Sequence, residues 1–220
     1  MVEANAASED IGVLFGTSTA GVQSGLVSID LISTAQVGGN DIAGLDELSL
    51  GTEQIMFTGQ VNNFALADLF LNAGDASLTS TGANEFLLDF GTLLQSTSTD
   101  VEVELALLNN VLGLADTLTG NFILPTSDFS FTGFDAVSDI AAGDSQDGFL
   151  IGLNLAETGL FDASIIFNPL SENASGFSGA LPQLTINVSA NVVPTAIPEP
   201  GTLALLIGVA TITALRRRRA

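Results

Sequence analysis

Several residue types are missing from this 220-residue chain. It has no cysteine, histidine, lysine, tryptophan or tyrosine, and its only four cations are Arg216, Arg217, Arg218 and Arg219. Without cysteine there is neither a disulfide framework nor thiol chemistry. Without histidine or lysine there are no Ser-His or Cys-His triads, no imidazole zinc sites, no Schiff bases and no phosphate loop closing on a lysine. Residues 1–215 contain no cation at all, so no salt bridge can form among them. A chain with 25 acids, four arginines and a net charge of −21 also has no basic patch with which to hold nucleic acid.

Carboxylate chemistry survives this elimination, but little in the sequence develops it. An aspartic dyad needs an Asp-Thr/Ser-Gly turn, which neither Asp116-Thr117-Leu118 nor Asp144-Ser145-Gln146 supplies. A two-carboxylate glycosidase usually stacks sugars on tryptophan or tyrosine, whereas all 14 aromatics here are phenylalanine. The body is therefore expected to be non-catalytic. Calcium, which takes oxygen ligands, is the one cofactor the loops suggest, with Asp41, Asp46, Glu47, Asp144 and Asp147 as candidate ligands. Neither loop fits the twelve-residue EF-hand pattern, and solvated turns account for the same acids.

What the chain does contain is 46% apolar residues and 23 glycines. Its apolar residues fall in short runs bounded by Gly, Asn, Asp, Ser and Thr, the pattern of a strand-rich domain. Strands are expected at 11–15, 26–32, 54–58, 85–90, 101–108, 121–124, 128–134, 149–155, 162–167 and 183–189. The clearest is Asp100 to Leu105, where carboxylates alternate with Val101, Val103 and Leu105. Leu184, Ile186 and Val188 alternate with Thr185, Asn187 and Ser189 in the same way. Leu- and Ala-rich stretches at 64–71 and 105–118 suggest helices, the second interrupted by Asn109-Asn110 and Gly113. Pro169, Pro182 and Pro194 are expected between strands or after the last one. The fold class expected is all-β, an antiparallel β-sandwich, with jelly-roll connectivity as one form of it.

The C-terminal two dozen residues differ from everything before them. Pro198-Glu199-Pro200-Gly201-Thr202 leads into Leu203 to Leu215 without a charge, followed by Arg216 to Arg219. Uncharged residues partition into hydrocarbon while guanidiniums stay in water, so the pattern predicts a membrane helix over 203–215 with a cytoplasmic basic stop. As a helix, residues 201–215 would cover roughly 22 Å of a hydrocarbon core about 30 Å thick, which suits a transiently held segment. The two prolines fix φ and stop the helix growing backwards, leaving Glu199 in an extended segment at the membrane surface.

This order of motif, apolar helix and terminal arginine cluster resembles the PEP-CTERM sorting signal, with Ile197 where valine is commoner. The resemblance covers about a tenth of the chain. It implies an exported bacterial protein that is processed by exosortase, an integral-membrane cysteine protease or transpeptidase, and delivered to the cell surface or extracellular matrix. Exopolysaccharide is a further partner compatible with that destination. The alternatives are an extracellular carbohydrate- or calcium-binding module, or a plain C-terminally anchored membrane protein. The domain organisation expected is a flexible start over 1–10, a sandwich over 11–190, a linker over 191–197 and the sorting signal over 198–220. Ala4-Asn5-Ala6 has the small-x-small pattern of a cleavage site, so the start is expected to lie within a longer precursor whose apolar leader precedes it. Asn173-Ala174-Ser175 and Asn187-Val188-Ser189 are sequons by pattern.

Overall fold

The computed structural model describes residues 12–14, 16–37, 40–44 and 46–195. The sorting motif Pro198, Glu199 and Pro200, the apolar run and the arginine cluster lie outside the described residues, as does most of the expected first strand. Gly12 to Leu14, within that expectation, form no strand. Among the described residues there is no helix long and apolar enough to cross a membrane.

The fold is all-β and has two parts. The first is a ribbon of β1 (Gly21–Ser33) and β4 (Leu48–Val61), antiparallel, with two short strands at its far end, β2 (Gln36–Val37) and β3 (Asn40–Asp41). The second is a β-sandwich. One sheet has four strands in the order β10 (Phe129–Thr132), β12 (Ser145–Asn154), β8 (Asp100–Asn109), β5 (Ala67–Ala73). The other runs β11 (Val137–Ile140), β9 (Thr117–Ile123), β13 (Gly159–Glu172), β15 (Leu184–Val193), β7 (Glu85–Leu94), β6 (Ser77–Gly82), with β14 (Ser178–Ala180) beside β13.

The alternation expected at 100–105 and 184–189 is present and aims its apolar residues at one shared core. Val103, Leu105 and Leu107 of β8 meet Leu184, Ile186 and Val188 of β15, together with Leu88, Ile151, Ile165 and Phe167. Phe122, Phe134, Phe149 and Phe167 bridge the two sheets, with Phe122 5.0, 5.1 and 4.6 Å from the other three rings. Phe149 and Phe167 are fully buried, and burying such a side chain contributes about 1.5–3 kcal/mol each to holding the layers together. Among the described residues the core begins at Ala65, and none of the ribbon belongs to it.

Four expectations are corrected. Both suggested helices are extended: the first stretch contains β5, and the second is the end of β8, a loop and the start of β9. β8 lies between β12 and β5, with Leu105, Ala106 and Leu107 all buried, and a strand covered on both faces reads as an unbroken apolar run that periodicity cannot separate from a helix. The large sheet is mixed and not purely antiparallel, because β15 pairs with β7 in parallel. Pro169 lies inside β13, at the point where that strand changes partner from β15 to β14, and its carbonyl accepts from Leu181 N at 3.0 Å. A missing N–H at a change of partner leaves no gap in either ladder.

Candidate functional site

The most developed polar site is where the ribbon joins the sandwich. Residues 62–66 cross between the two parts, and their backbone is tied down at nearly every step. Asn63 N donates to Leu114 O at 2.9 Å, and Asp116 N donates back to Asn63 O at 2.9 Å. Ala65 N donates to Ser171 Oγ at 3.0 Å, and Leu66 N to Asn109 Oδ1 at 3.1 Å.

Asp116, only 3% exposed, is the centre of this knot. Asn62 Nδ2 and Asn173 Nδ2 donate to its Oδ1 at 2.9 and 3.0 Å, and Ser171 Oγ donates to its Oδ2 at 2.9 Å. A buried charge needs compensation, and with no cation available three neutral donors supply it. Buried Asn109 completes the arrangement, donating to Asp116 O at 3.0 Å and to Ile140 O at 3.1 Å. These side chains come from the linker, the loop before β9, the end of β8, β13 and the turn after it, so the site exists only once both sheets have formed.

Over this knot lies an open concavity of about 560 Å³, lined by Thr17, Gln60, Val61, Asn62, Asn63, Phe64, Asp116, Asn173 and Phe177. Phe64 and Phe177 stack at 5.7 Å with their planes 22° apart, and Phe64 is 63% exposed. The lining offers amide donors and acceptors beside a bare aromatic face. It contains one carboxylate, already holding three donors, whereas two-carboxylate hydrolysis needs a second.

The residues singled out from sequence lie elsewhere. Asp46 and Glu47 are exposed just ahead of β4, at the far end of the ribbon, where the backbone of Asp41 forms part of β3. Asp144 and Asp147 are exposed at the start of β12, on the sandwich. Asp144 is used through its backbone: its carbonyl accepts from Asn109 N at 3.0 Å. Among the described residues no group of three or more His, Cys, Asp or Glu side chains is placed to share an ion.

Sequence reasoning passed over Asp116, Asn62, Asn109, Ser171 and Asn173 as a group. Two signals were available: Asn62-Asn63 and Asn109-Asn110 each follow or end an apolar run, where a strand interior disfavours asparagine. Asn173 also changes meaning. As a sequon it would present its amide outward, but here that amide donates to Asp116 while its Oδ1 accepts from Ser175 N and Oγ at 3.0 and 2.5 Å.

No family model matches the chain, and comparison with curated proteins returns no match. Two solved structures illustrate the likeness that exists. The PapD-like domain 7 of human CEP192 is 8% identical at a TM-score of 0.33, over 56% of this chain and 88% of that one. A family 123 glycoside hydrolase from Clostridium perfringens is 12% identical at a TM-score of 0.30, over 61% of this chain and 28% of that one. The class defined by fold and site together is a β-sandwich bearing a two-stranded ribbon, with a buried carboxylate at their junction.

Proposed function

We propose that this chain is an exported bacterial surface or matrix protein, sorted by a PEP-CTERM signal and processed by exosortase, with a non-catalytic β-sandwich as cargo. The observation that carries the reading is the order of the tail: Pro198-Glu199-Pro200, then the apolar stretch 203–215 as a membrane helix, then Arg216 to Arg219. The acidic, cysteine-free body accords with it, since copies carrying 24 acids and no cation over residues 1–198 repel one another during transit.

The end of the sandwich bears on how such a tail is presented. β15 lies between β13 and β7, and just beyond it Thr195 Oγ1 donates to Gln95 O at 2.7 Å. Gln95 N donates to Val193 O at 2.8 Å. The body therefore stays fastened through residue 195, leaving only Ala196 and Ile197 before the motif. At no more than about 3.6 Å per residue, Pro198 lies within roughly 11 Å of Thr195 whatever path the chain takes. Glu199→Ala, expressed in a strain that has the processing enzyme, is expected to accumulate unprocessed at the inner membrane. Normal maturation and display of the variant would remove the sorting reading.

A second reading, a carbohydrate-binding module, is favoured by the concavity at the ribbon root, where amide side chains flank the exposed ring of Phe64. Saccharides take amide hydrogen bonds and stack their C–H faces on aromatic rings. Glycan-array binding by the whole chain that is lost in Phe64→Ser would support it. Array signal unchanged by that substitution would exclude this concavity as the site.

A further inference from the structure

The ribbon is an unfinished sheet. Among the described residues β1 and β4 pair only with each other, and a two-stranded ribbon is marginal alone in water, whereas three or more strands with an apolar face are stable. Its two edges are not equivalent. β4 carries a bulge, since Leu31 and Ile32 face Gly51 and Ser49 with Leu50 left over, and it places Glu53 opposite Ile29. A bulge and a charge on the apolar side are devices that stop an edge from pairing. β1 has neither. No extra residue interrupts it, and it carries Gly25, Val27, Ile29 and Leu31 on one face and its single charge, Asp30, on the other.

We infer that β1 is a self-association edge: two copies of this chain pair antiparallel through β1 about a two-fold axis at Val27, making a four-stranded sheet. Charge favours a second copy as the occupant. The 27 residues of β1 and β4 carry two acids, Asp30 and Glu53, in a chain of net charge −21, so copies repel least here. A cationic partner would find little on this ribbon to bind.

The register follows from the sequence. Only an axis through a residue keeps the apolar faces of both copies on the same side, because an axis between residues would set odd positions against even ones. Of such axes, Val27 is the centre of Gly21–Ser33 and pairs all 13 residues. It places Val22 opposite the second copy's Ile32, Gly25 opposite Ile29, and Asp30 opposite Ser24. The two Asp30 carboxylates then stand about 20 Å apart, six residues along the strand. Like charges directly opposite would oppose pairing.

The cysteine-free chain allows a clean test. In the full-length protein, Val27→Cys places two thiols across the axis with Cα atoms about 5 Å apart, within disulfide reach, while Ser24→Cys places its own pair about 20 Å apart. Under mild oxidation Val27→Cys is expected to form covalent dimer at least about ten-fold faster than Ser24→Cys, and a mixture of Ser24→Cys with Asp30→Cys to cross-link faster than either alone. The mixture avoids the apolar face, so it reads the register even if the Val27 substitution disturbs the ribbon. Equal dimer rates for Val27→Cys and Ser24→Cys, with no gain in the mixture, would overturn the proposal. Capture of a different protein by Val27→Cys in place of a second copy would overturn it too.

Discussion

Asp116 shows what a buried carboxylate requires in a chain whose cations are confined to residues 216–219. Its three donors, Asn62, Asn173 and Ser171, come from positions 54, 57 and 55 residues away, so the charge is solvated by the fold itself. Asp116→Ala removes the acceptor from all of them, and each donor left stranded in a buried place costs about 1–3 kcal/mol. The variant is expected to melt several degrees lower, with faster hydrogen exchange at the Asn63 to Leu66 amides that tie the ribbon to the sandwich. Asp116→Asn keeps one accepting oxygen and should lose less. A melting curve for Asp116→Ala that overlays the parent would mean the network is ornamental. Little of this was legible in advance. Asp116 and Asn109 stood in the sequence as a failed protease motif and a helix breaker, because hydrogen bonds spanning more than fifty residues leave no local periodicity.

At the scale of elements, strands were legible where apolar and polar residues alternate strictly. β8 begins Asp-Val-Glu-Val-Glu-Leu and β15 runs Leu-Thr-Ile-Asn-Val-Ser, and both lie where the alternation put them. Alternation failed where burial is two-sided, as at Leu105 to Leu107, and where strands are short or polar, as in Ser77–Gly82, Val137–Ile140 and Ser178–Ala180. The ribbon was visible only in pieces, because its glycines and serines dilute the apolar pattern of two strands that belong to no core. Close pairing of β10 with β12 depends on one backbone position. Gly133 has φ of +80°, and a Cβ there would lie 2.1 Å from Gly148 O. Gly133→Ala therefore combines left-handed strain with a clash against main chain, neither of which a rotamer change relieves. A loss of more than about 2 kcal/mol in urea unfolding is expected, with the m-value unchanged. A midpoint equal to the parent's would show that β10 is free to move away from β12.

Across the whole molecule the acids lie almost entirely in residues 1–198, and all four cationic side chains lie in 216–219. Among the described residues, carboxylates are met by backbone N–H groups such as Gly148 N on Glu104 Oε1 at 2.9 Å and by neutral side chains such as Asn154 on Asp100 Oδ1 at 2.8 Å. Such a body needs no counter-charge in order to fold, so under the proposed sorting reading its stability should not depend on the cationic tail. Thr195 Oγ1, donating to Gln95 O at 2.7 Å, fastens the chain to the sandwich just past the end of β15.

Intact-mass spectrometry of the mature protein recovered from the cell surface or medium of its own host tests this account most directly. A C-terminus at or near Pro198 to Pro200, with the apolar segment and the four arginines gone, is the result expected. Mature protein that still ends at Ala220, arginines included, would contradict it.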